Sequence, residues 1–171
     1  MLFLGNLVSM VGCILMVAIG FVRKRERVIA LQCFQFGILG LSNLILGATS
    51  GFISGMVSVA RNLIFPRVKG GLGLKLLFIS IQVFLTLLVG VEGIVSLLPL
   101  FAGVLFTWFI DARSDAQLKV VIIAAQILWA IYDISYRNYV AFTFDLLTVA
   151  SNAFGLLMLK REGMLSWKQP V

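Results

Sequence analysis

Apolar residues fill seven long stretches of this chain, at roughly 2–22, 28–47, 51–65, 74–91, 94–110, 118–134 and 140–159. Short clusters of charge, glycine or turn-forming residues separate them. These are Arg23-Lys24-Arg25-Glu26-Arg27, residues 47–51, residues 66–71, Glu92-Gly93, residues 111–115 and residues 135–139. A bilayer core about 30 Å thick takes roughly 20 helical residues per crossing. Inside lipid, only helices and closed barrels satisfy every backbone polar group. Unbroken apolar runs of this length predict an all-α polytopic membrane protein with seven transmembrane helices. The third stretch is the shortest, and the break at Glu92-Gly93 is the least marked.

The distribution of charge tests that count. With seven crossings, thirteen of the fourteen basic residues lie on one face and Arg137 alone lies on the other. Merging two stretches into one would flip the later loops and lose the separation. The positive-inside rule then puts the N-terminus outside and the C-terminus in the cytoplasm of a bacterial inner membrane. Composition agrees, with 61% hydrophobic and 12% charged residues against about 25% charged in soluble domains. The net charge of +7 sits in short loops beside the spans, as expected of topology determinants facing anionic lipid, and excludes nucleic acid as a partner. No basic region or small-residue cleavage pattern accompanies the first stretch, which reads as a retained span.

Sliding the sequence by 90 residues lays helices 1–3 over helices 5–7. Val59-Ala60-Arg61-Asn62 then falls on Val149-Ala150-Ser151-Asn152, and Phe52 falls on Phe142, although residues 38–67 give only four identities. Three helices, one spare and three more give two parallel repeats in a 3+1+3 order. The expected division is a first three-helix bundle over 1–67, a loop and linker helix 4 over 68–92, a second bundle over 93–161 and a cytoplasmic tail over 162–171.

Polar residues inside the spans are the candidates for function, since such a group faces other helices or lines a cavity. Helix 7 carries Asp145, Thr148 and Asn152 at i, i+3 and i+7, and helix 3 carries Ser54, Ser58 and Asn62 at i, i+4 and i+8. The hydroxyls read first as helix-packing contacts, whereas the paired Asn62 and Asn152 amides suit a hydroxylated ligand held between two bundles. Asp145 has no basic residue within a turn and is expected in a wet outer vestibule or protonated. Asp133 is placed four residues before Arg137, the spacing of an interfacial ion pair. Trp129 and Tyr132 are spaced to form an aromatic wall, with an interfacial belt as the other reading. Histidine is absent, Cys13 and Cys33 lie in apolar runs, and no cofactor or metal motif occurs. A hydrolase built on carboxylates would require the fold to bring Asp133 and Asp145 together.

The layout, with Arg61-Asn62-Leu63-Ile64 before a basic loop, the stretch from Ile127 to Asp133, and Lys160-Arg161-Glu162-Gly163 closing helix 7, resembles YgjV-type bacterial inner-membrane proteins. More distantly it is similar to the SWEET and PQ-loop transporters. That resemblance implies two triple-helix bundles around a central path, alternating access, and sugar-pocket roles for Asn62 and Asn152. No Pro-Gln dipeptide stands in the spans, and Pro99 is the one hinge proline among them. The seven-helix PnuC-type vitamin-precursor carriers offer a nucleoside-like analogue.

The sequence therefore predicts a facilitator of a small polar solute, sugar-like or nucleoside-like, and no enzyme. Its expected substrate-binding residues are Asn62, Asn152, Trp129, Tyr132, Ser58, Thr148 and Asp145, with no cofactor and no metal. The expected partners are the solute and membrane lipid, and assembly as a homo-oligomer is compatible with the pattern. The rival expectation is a membrane scaffold whose polar stripes serve only helix packing. A cavity between the bundles favours transport, and close packing there favours the scaffold.

Overall fold

The computed structural model describes residues 1–19, 25–68, 71–91, 93–111 and 114–161. The predicted Glu92 break, much of the basic loops and the tail over 162–171 lie outside the described residues. Those residues form seven α-helices and no strand. The helices are α1 (Leu2–Ile19), α2 (Arg25–Ile45), α3 (Thr49–Ile64), α4 (Leu72–Val89), α5 (Leu98–Trp108), α6 (Asp115–Ser135) and α7 (Tyr139–Arg161). A 3₁₀ turn, Ile94–Leu97, leads into α5. Each falls on one of the predicted apolar stretches. By length and hydropathy, α1, α4, α6 and α7 can each cross a bilayer alone. Helix α3, at 16 residues, reaches only about 24 Å. The short helices α3 and α5 are rich in buried small residues, including Gly51, Gly55 and Gly103.

Packing follows the small residues. In α1, Gly5, Ser9, Gly12 and Cys13 make one buried stripe against α2. The Ser9 and Ser42 hydroxyls meet at 2.6 Å, and Ser42 donates to the Gly5 carbonyl at 2.7 Å. Such stripes allow backbones to approach closely where no hydrophobic gain drives association. Six helices pack as a ring, α1 on α2, α2 on α3, α3 on α5, α5 on α6, α6 on α7, and α7 back on α1. Helix α4 sits in the groove between α3 and α5. Its buried Gln82 donates to Ser54 Oγ (3.1 Å) and to the Pro99 carbonyl (3.2 Å), over the bare face of Gly103. Large apolar side chains such as Phe3, Phe84 and Phe154 cover the outer faces.

Two sequence expectations change here. Asp133 makes no ion pair with Arg137: it is 4% exposed, while Arg137 lies exposed on the turn above it. Arg137 adopts a left-handed backbone (φ 59°) at that turn, which ends the helical register that i+4 pairing requires. Arg61, counted above as an interfacial charge, is buried between α3 and α5 and donates to Thr107 Oγ1 at 3.2 Å.

Candidate functional site

The site begins at two turns that end α2 and α6. In the first, Ala48 N–H donates to the Asn43 carbonyl (2.7 Å) and Gly47 N–H to the Leu44 carbonyl (3.1 Å). In the second, 90 residues on, Asn138 N–H donates to the Asp133 carbonyl (2.8 Å) and Arg137 N–H to that of Ile134 (3.2 Å). Both are Schellman caps, with a left-handed residue just past the helix end. Gly47 (φ 78°) fills that position in one and Arg137 in the other. The caps fix where Asn43 and Asp133 stand, one turn inside each helix and pointing toward the ring's centre.

Between the helices lies a cavity of about 70 Å³. Five pairs of its lining residues are related by the same 90-residue shift: Phe36 and Gln126, Leu39 and Trp129, Asn43 and Asp133, Gly51 and Ala141, Gly55 and Asp145. Cys13 and Met16 of α1, Gln35 of α2 and Asn138 complete the polar and flexible part of the wall. The cavity holds space for several waters.

Its chemistry is concentrated on α6 and α7. The carboxyl groups of Asp133 and Asp145 face each other, and both residues are buried. Asn138 Nδ2 reaches Asp133 Oδ1 (3.4 Å) and Asn43 Oδ1 (3.5 Å), while its Oδ1 accepts from Ala141 N–H (3.3 Å) and caps α7. Oδ2 of Asp145 is buried without a hydrogen-bond partner. A buried acceptor left unmade costs about 1–3 kcal/mol, more if charged, so this atom is the natural place for a ligand or water.

The wall is held by Tyr132, which is fully buried behind it. Gly51 N–H and Ser50 Oγ–H donate to its phenol oxygen at 2.8 and 3.0 Å. Its ring meets Trp129 edge-on at 5.7 Å and fixes the indole that lines the cavity. A side chain on Gly51 would lie 2.7 Å from both Asn43 Nδ2 and the Tyr132 ring, so glycine is needed for that approach.

Of the predicted site residues, the structure brings Trp129 and Asp145 to the cavity and puts Tyr132 directly behind it. Asn62, Asn152, Ser58 and Thr148 do not line it. Asn62 donates to Gln32 Oε1 (3.3 Å), and Asn152 donates to the Thr148 carbonyl on its own helix (2.9 Å). Thr148 in turn donates to the Phe144 carbonyl (2.8 Å), and Ser58 is buried on α3. Asn43, Asn138, Gln35 and Gln126 are the lining residues sequence reasoning passed over as a site, and Asp133, weighed above as an ion pair or as half of a carboxylate pair, joins them. One signal was present: the 90-residue shift sets Asn43 against Asp133, a near-match that counting identities ignores.

A sequence model of the Imp-YgjV family, described as bacterial inner membrane protein, matches residues 3–163. The chain belongs to that family. No curated protein and no solved structure matches it.

Proposed function

We propose, from membership in an inner-membrane family and from this cavity, that the protein carries a small polar organic solute across the bacterial inner membrane by alternating access. The observation that carries the reading is a cavity between the two halves, apolar over most of its wall but set with buried acids and amides and lined at repeat-related positions. A scaffold has no use for buried acids and amides around open space, where each unpaired group lowers stability. Carriers built from repeats bind at the repeat interface, where a rocking motion exposes the site to either side.

The contacts favour the finer architecture as well. Exchanging α1, α2 and α3 for α5, α6 and α7 leaves the ring of contacts unchanged, as a 3+1+3 fold with parallel repeats requires. On that reading the seven helices are seven crossings, α4 is the linker, the N-terminus is outside and the C-terminus inside. The SWEET-like comparison is carried by this symmetry alone. The solute site lies at Trp129, Asn43, Asn138, Asp133 and Asp145, some two to three helical turns from Asn62 on the side of the α2–α3 and α6–α7 turns.

The buried acid pair also raises the hydrolase reading, since general acid–base chemistry uses two convergent carboxyls. The cavity, at about 70 Å³, is too small for an extended substrate, so binding and release explain it better than bond cleavage. Counterflow in proteoliposomes across a panel of sugars, nucleosides and vitamins tests the proposal. Uptake of a panel member, abolished by Trp129→Ala together with Asp133→Asn, is the expected result. Absence of uptake for every solute, charged or neutral, overturns it.

A further inference from the structure

We infer that the Asp133–Asp145 end of the cavity binds a small organic cation, one with a protonated or quaternary nitrogen, and exchanges it for a proton. The inference rests on the transport reading and names the solute class for that same site.

Among the described residues, the lining carries two carboxyls and no lysine, arginine or histidine. An anionic solute has no partner there, and a neutral one leaves the acids unused. Two carboxylates sharing one buried site repel strongly, and nearby positive charge is what allows both to ionise. Without a cation, one proton shared between them meets that need. The groups facing them do not supply positive charge. From α1 comes the Cys13 thiol, from α2 the Gln35 and Asn43 amides, from α3 the bare Gly51 and Gly55, and from α6 the Tyr132 phenol.

Three features fit an ammonium group. Asp145 Oδ2 is buried, unpartnered and on the cavity wall. Trp129, held by Tyr132, is the side chain whose ring face best attracts a cation, and it lines the same cavity. The amides of Asn43 and Asn138 accept or donate to polar groups elsewhere on the solute. The exchange balances: the cation arrives, the shared proton leaves to the water on the open side, and a proton returns when the cation departs on the other side.

The test uses the purified full-length chain with choline, ethanolamine and putrescine as probes. In weakly buffered detergent, a binding probe should release about one proton per chain, and its affinity should tighten up to about tenfold per pH unit while the pair holds its proton. In proteoliposomes enclosing a pH dye, adding that probe outside should make the interior alkaline, and Asp145→Asn should remove both signals. If that variant does not fold, the wild-type affinity alone decides, and binding independent of pH overturns the exchange. Counterflow of neutral sugars or nucleosides with all three cations silent overturns this inference and leaves the transport reading standing. Silence in every panel overturns both.

Discussion

The two halves of the ring, α1–α3 and α5–α7, pack their helices in the same order and divide the chemistry. At corresponding places on the cavity wall one half has Phe36, Leu39, Asn43 and Gly55, and the other has Gln126, Trp129, Asp133 and Asp145. At these places the first half provides apolar surface and one amide; the second provides two acids, an amide and an indole. The turns diverge in the same way. Ala48 is a plain residue past its helix end, while its counterpart Asn138 bonds to Asp133, Asn43 and the start of α7. On the proposed reading of two parallel repeats, the shared packing positions the site, and its specificity comes from where the halves differ.

The sharpest way to break that comparison is to give the second half the first half's residue. Asp133→Asn, which copies Asn43, should lower transport about 100-fold, equivalent to roughly 2.7 kcal/mol, with the fold kept. Counterflow beside a thermal melt checks it. A loss below about threefold would show the acid pair to be dispensable.

Crowding the α2–α3 contact in the first half comes next. Gly55→Ala puts a methyl group 3.0 Å from the Phe36 carbonyl and 3.3 Å from Gly40 Cα, where α2 and α3 touch. Such overpacking costs about 1–3 kcal/mol, read as a lower melting temperature in detergent. The matching change Asp145→Ala removes bulk, and its melting temperature should fall less.

Tyr132→Phe removes the acceptor of two buried donors and leaves the Gly51 N–H only its longer bond to the Ala48 carbonyl (3.1 Å). We expect a loss of about 1–2 kcal/mol and weaker quenching of Trp129 by a bound solute, followed by fluorescence. A smaller effect separates the turns. Gly47→Ala places a Cβ at φ 78° and should cost about 1 kcal/mol, whereas Arg137→Ala replaces a residue that already carries one and should change stability little. Least of all, Asn62→Ala with Asn152→Ala should alter counterflow less than about twofold, equivalent to some 0.4 kcal/mol. A loss as large as that of Asp133→Asn would move the solute site back to those amides.

Much of the fold was legible in the sequence because lipid leaves a chain few choices. Uninterrupted apolar runs separated by charge must become helices there, and all seven observed helices fall on the predicted stretches. The 90-residue shift was legible too, down to the turns at 47–51 and 137–141. The site was legible only in part. Asp145 and Trp129 stood out, one as an acid without a basic neighbour on its helix and the other as an aromatic well inside a span. Asn62 and Asn152 matched as well in the sequence as any pair, yet their side chains bond to Gln32 and to their own helix.

What the sequence alone determined is therefore the solvent this protein lives in, the stretches its helices occupy, and the 90-residue spacing of the turns that end α2 and α6. Each follows from local hydropathy and turn chemistry, which need no knowledge of neighbours. Only the tertiary structure decided which polar residues meet. A helix presents a new face about every 100°, and no rule within one helix says which face looks inward. Asp133, spaced for a surface ion pair, became half of a buried acid pair because α6 turns that face toward α7 and Arg137 is carried away by its left-handed turn.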